Sequence, residues 1–174
     1  MLGEYGASAA IITTGEKFLL FHRDNIPTIS SPDCWQSVGG CIEKGETPSE
    51  ALVREVLEES SYKLTSYKHL YTFRNILVRD QHIYLALVNP AEMTKFKLGP
   101  GEGQAIGWFT LDEVAKLKLT PTSKIIYVDF RPLIEEIITT PKMSPIRFKQ
   151  ILTTLKKRHQ DKITDLLSKV QYVR

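Results

Sequence analysis

Apolar and polar positions alternate in short stretches along the first half of the chain. Residues 7–13 and 17–22 read as two strands joined through the turn Thr14-Gly15-Glu16. Residues 24–33 hold Pro27, Pro32, Asp33 and two serines, which predicts a loop. A short extended piece at 35–38 runs into Gly39-Gly40. Between 62 and 89 the positions Tyr67, Leu70, Tyr71 and Phe73, then Ile83, Leu85 and Leu87, predict two or three antiparallel strands. A Gly/Pro loop at 99–103 precedes a strand at 105–109 and a short helix starting within 111–117. Residues 125–138 read as helical with a break at Pro132. No regular βαβα alternation emerges. The expected class is α/β of the α+β type, a mixed sheet with helices on it.

One helix is written more sharply than the rest. Thr47 suits an N-cap, Pro48 the first helical position, and Glu50 follows Thr47 by three residues, completing a capping box. Helix propensity stays high through 51–59 and weakens at Ser60-Ser61. Leu52, Val53, Val56 and Leu57 share one arc and can face a core. Near the C-terminus Phe148, Ile151, Leu152 and Leu155, and then Ile163, Leu166, Leu167 and Val170, repeat at helical spacing, with Ser144-Pro145 as a start signal. This divides the chain into a domain over 1–140 and an amphipathic helical extension over 141–174.

Charge sharpens that division. From Lys142 onward nine Lys and Arg face two Asp, a net +7, whereas residues 1–141 carry −4. A basic tail can serve nucleic acid or a membrane surface, but the apolar periodicity favours packed helices with a solvated basic face, so a nucleic-acid partner is not expected although the tail leaves it open. With 174 residues and 42% hydrophobic positions, the chain can bury a real core. No apolar run approaches the ~20 residues of a membrane span, and residues 1–5 lack the basic start of a secretory signal. The expectation is a cytoplasmic protein without membrane contact, with a homodimer left open. Cys34 and Cys41 show neither disulfide-framework nor zinc spacing and read as buried thiols.

The chemistry concentrates in residues 39–62, GGCIEKGETPSEALVREVLEESSY. On a helix, Glu55, Glu58 and Glu59 fall within an arc of about 100°. Carboxylates three and four residues apart repel, each pair by about 0.2–0.5 kcal/mol in water. They also sit in the second half of the helix, where the dipole disfavours anions. Arg54 alone gives local relief. An acidic face of this kind is common on solvated helices. Here, however, a glycine pair admits close approach, a capping box fixes the helix start, and an arginine is placed to orient a carboxylate. Hard oxygen donors on one rigid face suit Mg²⁺, with Mn²⁺ as a substitute.

Gly40, Glu46 and the run Arg54-Glu55-Val56-Leu57-Glu58-Glu59, followed by Ser61-Tyr62, resemble the Nudix box, G-x5-E-x7-R-E-U-x-E-E-x-G-U, where U is a bulky apolar residue. Eight of its nine specified positions match, with Tyr62 as the last U; Ser61 stands where the family has glycine. A serine closing the helix in left-handed geometry costs roughly 1 kcal/mol. Weaker likenesses, Phe21-His22-Arg23, Trp35, Glu102-Gly103-Gln104 and Trp108-Phe109, extend the resemblance over about residues 5–118.

The resemblance implies a Nudix fold, a mixed sheet sandwiched between helices, and a Mg²⁺-dependent pyrophosphohydrolase. The substrate would be a nucleoside diphosphate linked to another group, most simply a (d)NTP or a modified nucleotide, attacked by water at phosphorus. By position, Gly39, Glu55, Glu58, Glu59 and Glu102 would serve the metals, with Glu58 or Glu59 as direct ligands and Glu55 or Glu102 as base. Arg54 would orient a glutamate, and Glu46 would support the loop–helix junction or an outer metal. Glu102 is included because a mobile Gly/Pro loop can bring it onto the metals. Arg23 is a candidate for phosphate, and Trp35, Tyr71 and Phe73 for stacking on a base. The competing readings are a nucleotide-sensing module without turnover, a hydrolase of nucleotide sugars, ADP-ribose or dinucleoside polyphosphates, and an isomerase of the same fold.

Overall fold

A computed structural model describes residues 5–74 and 79–140, together with 144, 146, 147, 149–151, 153, 154, 157 and 158. Two apolar strands open the chain, β1 (Ala7–Thr13) and β2 (Phe18–His22), and they pair antiparallel with Ile12 opposite Leu19. After the loop come β3 (Trp35–Gln36), β4 (Val38–Cys41) and helix α1 (Pro48–Ser60). Then follow β5 (Lys68–Phe73), β6 (Gln81–Leu87), a 3₁₀ turn (Pro90–Lys95), β7 (Ala105–Phe109), α2 (Leu111–Val114), α3 (Pro121–Lys124) and α4 (Arg131–Thr139).

Among the described residues the sheet has seven strands: β3-β2-β1-β6-β5 along one path, with β4 on β1 and β7 on β2. Only β1 and β6 run parallel; the other pairings are antiparallel, so the sheet is mixed as expected. The glycine pair lies inside a strand, since Gly39 and Gly40 face Ala9 and Ser8 across the β1–β4 ladder. Glycine is a poor strand former, and β4 is held by its neighbour rather than by its own propensity.

Strand β2 is buried on both faces. Leu19 and Phe21 join the core formed with Ala10, Ile12, Val38 and Tyr84 beneath Leu52 and Val56 of α1. Phe18, of opposite parity, meets the Tyr127 ring edge-on at 5.7 Å. Helical segments therefore cover both faces of the sheet. Leu57 departs from its expected place: it is 48% exposed, because only the Leu52–Val56 edge of the helix reaches the sheet.

The helix expected over 125–138 begins earlier, at Pro121, and passes through a π turn over Ile125–Asp129. The break falls at Phe130, and Pro132 sits in the first turn of α4, where a missing N–H removes no helical hydrogen bond. Residues through Arg131 form one compact unit and those from Pro132 a second. Within the second unit Ile134, Ile137, Ile138 and Ile151 are buried, the described residues 146–158 are helical, and Ser144 Oγ accepts from the Arg147 N–H at 3.2 Å, as an N-cap does. Phe148, Leu152, Leu155 and the apolar positions from Ile163 to Val170 lie outside the described residues. Among the described residues no helix is long and apolar enough to cross a membrane.

Candidate active site

Helix α1 starts as its sequence prescribes. Thr47 Oγ1 accepts from the Glu50 N–H, and the Glu50 carboxylate accepts from the Thr47 N–H at 2.8 Å. Two turns later the electrostatics reverse. Arg54 binds Glu46 through Nε and Nη2 at 2.7 and 3.0 Å, reaches Glu55 and Glu58 through Nη1 at 2.8 and 2.9 Å, and donates to the Cys41 carbonyl at 2.9 Å. This guanidinium ties the loop before α1 to the acidic face of the helix. Arg54 hydrogen bonding and the Glu43 N–H hold the Glu46 carboxyl down to about 2, so it stays charged as the arginine's anchor.

Glu59 is turned inward. It is only 5% exposed, and Oε2 accepts from the Gly39 N–H at 2.8 Å. Burial pushes its carboxyl well above the usual range; the Gly39 N–H opposes this, and the charges of Glu55 and Glu102 add to it. Burial likewise raises Glu55, against Arg54 and with the charges of Glu58 and Glu102. Glu58 remains half in solvent. Gly40 makes room for this group: a Cβ there would meet the Glu55 carboxyl carbon at 2.5 Å.

Glu102 reaches the cluster on a pinned loop. The last carbonyls of α1 are capped from it, Lys97 N–H donating to Ser60 O at 2.9 Å and Gly99 N–H to Glu59 O at 3.1 Å. Its far end is held by Gln104, whose N–H donates to His22 O at 2.8 Å and whose amide donates to Arg23 O at 2.6 Å. Gly99 lies against the Glu58 carbonyl, so closely that no Cβ fits. In this structure these bonds hold the loop with Glu102 within electrostatic reach of Glu55 and Glu59.

On the other side of Gly39-Gly40 opens a cleft of about 430 Å³. Arg23, Gln36, Gln81 and Thr122 give it polar walls, and Ala7 and Ala9 line the sheet side. A hydroxyl network fixes its helical wall. Ser37 N–H donates to Ser123 Oγ at 3.2 Å, Ser37 and Tyr127 share a hydrogen bond of 3.0 Å, and Thr122 Oγ1 donates to Gln81 Oε1 at 2.9 Å. Beside it, Arg23 donates through Nε to Ser31 O at 3.2 Å and through Nη1 to Gln36 Oε1 at 3.3 Å, and its positive charge is felt at Glu59.

The donor set is hard oxygen, crowded, and short of compensating cation, which fits a hard divalent ion by charge and donor type. Among the described residues no three His, Cys, Asp or Glu side chains converge as a preformed ligand group. Glu55 and Glu58 are engaged by Arg54, and Glu59 by Gly39.

The NUDIX domain profile matches residues 4–130. The chain belongs to the NUDIX domain family. It is 32% identical over 120 residues to a Streptomyces rubellomurinus CMP-5'-(N-acetyl-N-hydroxy-3-aminopropyl)phosphonate hydrolase, covering 63% of this chain and 54% of that protein. The chain spans about half the length of the curated relatives it matches. Among solved structures it resembles a MutT NUDIX hydrolase from Burkholderia pseudomallei, with TM-score 0.58 and 26% identity over 71% of this chain and 95% of that one. The NUDIX domain of Shewanella oneidensis NrtR, complexed with ADP ribose, shares the fold with TM-score 0.60 at 17% identity, over 77% and 90% of the two chains.

Within this Nudix domain the expected residues separate into two groups. Arg23 and Gly39 line the cleft, Glu59 and Glu55 adjoin Gly39 and Gly40, Glu102 lies within electrostatic reach of both, and Arg54 ties Glu55 to Glu58 and Glu46. The aromatics do not join them. Tyr71 and Phe73 are buried and pack edge-to-face at 4.9 Å, with Phe73 stacked on Phe130 at 6.4 Å. Trp35 has one ring face covered by His22 at 4.5 Å and meets Phe109 edge-on. The stacking role expected of Tyr71 and Phe73 fails because the core claims their rings, and no described residue lining the cleft is aromatic. Cys34 is buried as expected, but Cys41, at the end of β4, is exposed. Gln36, Gln81, Thr122 and Ser123 were not singled out by sequence; they are ordinary polar residues whose common address exists only in the fold.

Proposed function

We propose that this chain is a divalent-cation-dependent pyrophosphohydrolase acting on a nucleoside diphosphate linked to a second group, with Mg²⁺ or Mn²⁺ as its metal. The observation that carries this reading is the packing of the Glu55 carboxyl against Gly40 and of buried Glu59 on the Gly39 N–H, within electrostatic reach of Glu102, where the two glycines line a cleft. Glu55, Glu58, Glu59 and the Gly39 carbonyl would hold the metal, with Glu102 from its loop. When bound, the cation would neutralise phosphate charge and lower the pKa of the attacking water.

The protein's own groups divide the remaining work. Arg54 holds the carboxylates of Glu55 and Glu58 through Nη1 while Nε and Nη2 stay on Glu46, so it would remain anchored if a cation drew those carboxylates away. Glu55 or Glu102 would take the proton from the attacking water; burial raises the proton affinity of Glu55. Arg23 meets a phosphate oxygen from the cleft side. The substrate is most simply a (d)NTP or a modified nucleotide; the name of the Streptomyces relative adds cytidylate linked to a phosphonate to the candidates.

The test is a phosphate-release screen, coupled to pyrophosphatase and phosphatase, across nucleoside triphosphates, nucleotide sugars and CMP-linked phosphonates with Mg²⁺ or Mn²⁺. Cation-dependent turnover of one class supports the reading. A protein that binds neither cation and turns over none of them overturns it.

A further inference from the structure

Gln36 has no role in the reaction as described so far, yet its amide stands between two groups that do. Its Oε1 accepts from Arg23 Nη1 at 3.3 Å, and its Nε2 donates to the Gly39 carbonyl at 3.3 Å. The β2–β3 pairing sets this up: Phe21 faces Gln36 across the ladder, so Arg23, two positions on, projects from the same face of the hairpin. Gly39 spends its N–H on Glu59. The result is an unbroken run of hydrogen bonds from Ser31 through Arg23, Gln36 and Gly39 to the most buried carboxylate of the cluster.

We propose that Gln36 is a positioning residue that couples phosphate binding at Arg23 to cation loading at Gly39 and Glu59. The inference rests on the pyrophosphohydrolase reading and deepens it. A carbonyl oxygen has two lone pairs, so Gly39 can accept from Gln36 and still face a cation. The amide is suited to the task because it accepts from the guanidinium with one end and donates to the carbonyl with the other. Both bonds, at 3.3 Å, are slightly longer than an ideal N–H···O bond and leave room to tighten around a substrate. An anion that draws Arg23 toward the cleft moves the amide, and the amide moves the Gly39 carbonyl. By linkage the effect runs equally in reverse, so either ligand strengthens the other.

The experiment measures Mn²⁺ affinity of the full chain from the free-ion EPR signal, with and without imidodiphosphate, a pyrophosphate analogue that needs no base recognition. Steady-state kinetics follow on the nucleotide that wild type turns over fastest. Wild type is expected to bind Mn²⁺ more tightly with the analogue present, and Gln36→Met to lose that enhancement by about five-fold or more. Gln36→Glu keeps an acceptor for Arg23 but cannot donate to Gly39, so it loses the enhancement and kcat while KM stays near wild type. Circular dichroism confirms that each variant is folded, and Gln36→Glu carries the test if Gln36→Met is not. Wild-type activity beside unchanged coupling in either folded variant overturns the inference alone. A wild type that takes up no Mn²⁺ and hydrolyses nothing overturns the functional reading and this inference together.

Discussion

The two ends of α1 obey opposite rules. At the N-terminal end the polar groups are paired locally: Thr47 and Glu50 satisfy each other three residues apart, and Glu46 anchors Arg54 eight residues on. At the other end Glu59 is buried as a carboxylate, Glu55 is half-buried beside it, and the last carbonyls depend on a loop some 40 residues away in sequence. The first end is arranged for stability. The second accepts electrostatic strain at a place where a cation would relieve it, and local optimality is relaxed where a ligand completes the structure.

The largest expected effect breaks this contrast at its functional end. Glu58→Gln should lower turnover at least about 100-fold, since it removes a carboxylate proposed to hold the cation that neutralises the reacting phosphate. Melting should barely move, because Glu58 is 48% exposed and its pair with Arg54 is an i,i+4 surface ion pair worth about 0.3–0.5 kcal/mol. Turnover and thermal melting on one preparation check both halves; unchanged hydrolysis would remove Glu58 from the metal set.

The next prediction sharpens the contrast through pH. Burial raises Glu59 above its ordinary 4.5 in the folded state, so the native protein binds the extra proton. Stability of the metal-free protein therefore falls as pH rises from 4.5 through the raised folded value. Glu50 is lowered from 4.5 by its bonds to Thr47, so its contribution is complete above 4.5 and is lost as pH falls through the lowered value. In EDTA, Glu59→Gln should flatten the decline in Tm as pH rises above 4.5, and Glu50→Gln the decline as pH falls below it. Identical pH profiles for the two variants would show that the ends of the helix do not differ electrostatically.

That difference also governs what could be read from residues alone. The capping box, the strands at 7–13 and 18–22, and the acidic face of α1 were legible because each depends on partners one turn or one strand position away. Strand β4 was harder, since Gly39 and Gly40 have no strand propensity and are extended only because β1 pairs with them. The pinning of Glu102 rests on Gly99 fitting against the Glu58 carbonyl and on Gln104 reaching back to Arg23. The helical wall of the cleft depends on Ser123 meeting Ser37 across 86 residues. Tyr71 and Phe73 looked like ligand aromatics because a strand's alternation does not say which face is already taken.

A smaller effect tests the stable end by itself. Thr47→Ala should cost about 1 kcal/mol, the usual loss of a threonine N-cap, measured by urea unfolding. Hydrolysis should change little once the protein is folded, since Arg54 and Glu46 hold the helix start independently.

The smallest prediction concerns the residue that closes the other end. Ser61 takes the left-handed conformation, φ 50° and ψ 21°, and its N–H caps Leu57 O at 2.9 Å. A side chain in that region is disfavoured by about 1 kcal/mol, whereas glycine adopts it freely. Glycine also gains more entropy on unfolding, which offsets part of the benefit. Ser61→Gly should therefore stabilise the fold by roughly 0.5–1 kcal/mol. Donor geometry should be unchanged, because Glu58 and Glu59 sit within the helix before the cap and Tyr62 beyond it stacks on Phe96 at 3.9 Å. A Ser61→Gly protein that melts higher but binds Mn²⁺ like wild type would show that the helix end tolerates serine through strain alone. A change in Mn²⁺ affinity would instead mean that the cap geometry reaches the carboxylates, and the separation of the two ends would have to be redrawn at residue 59.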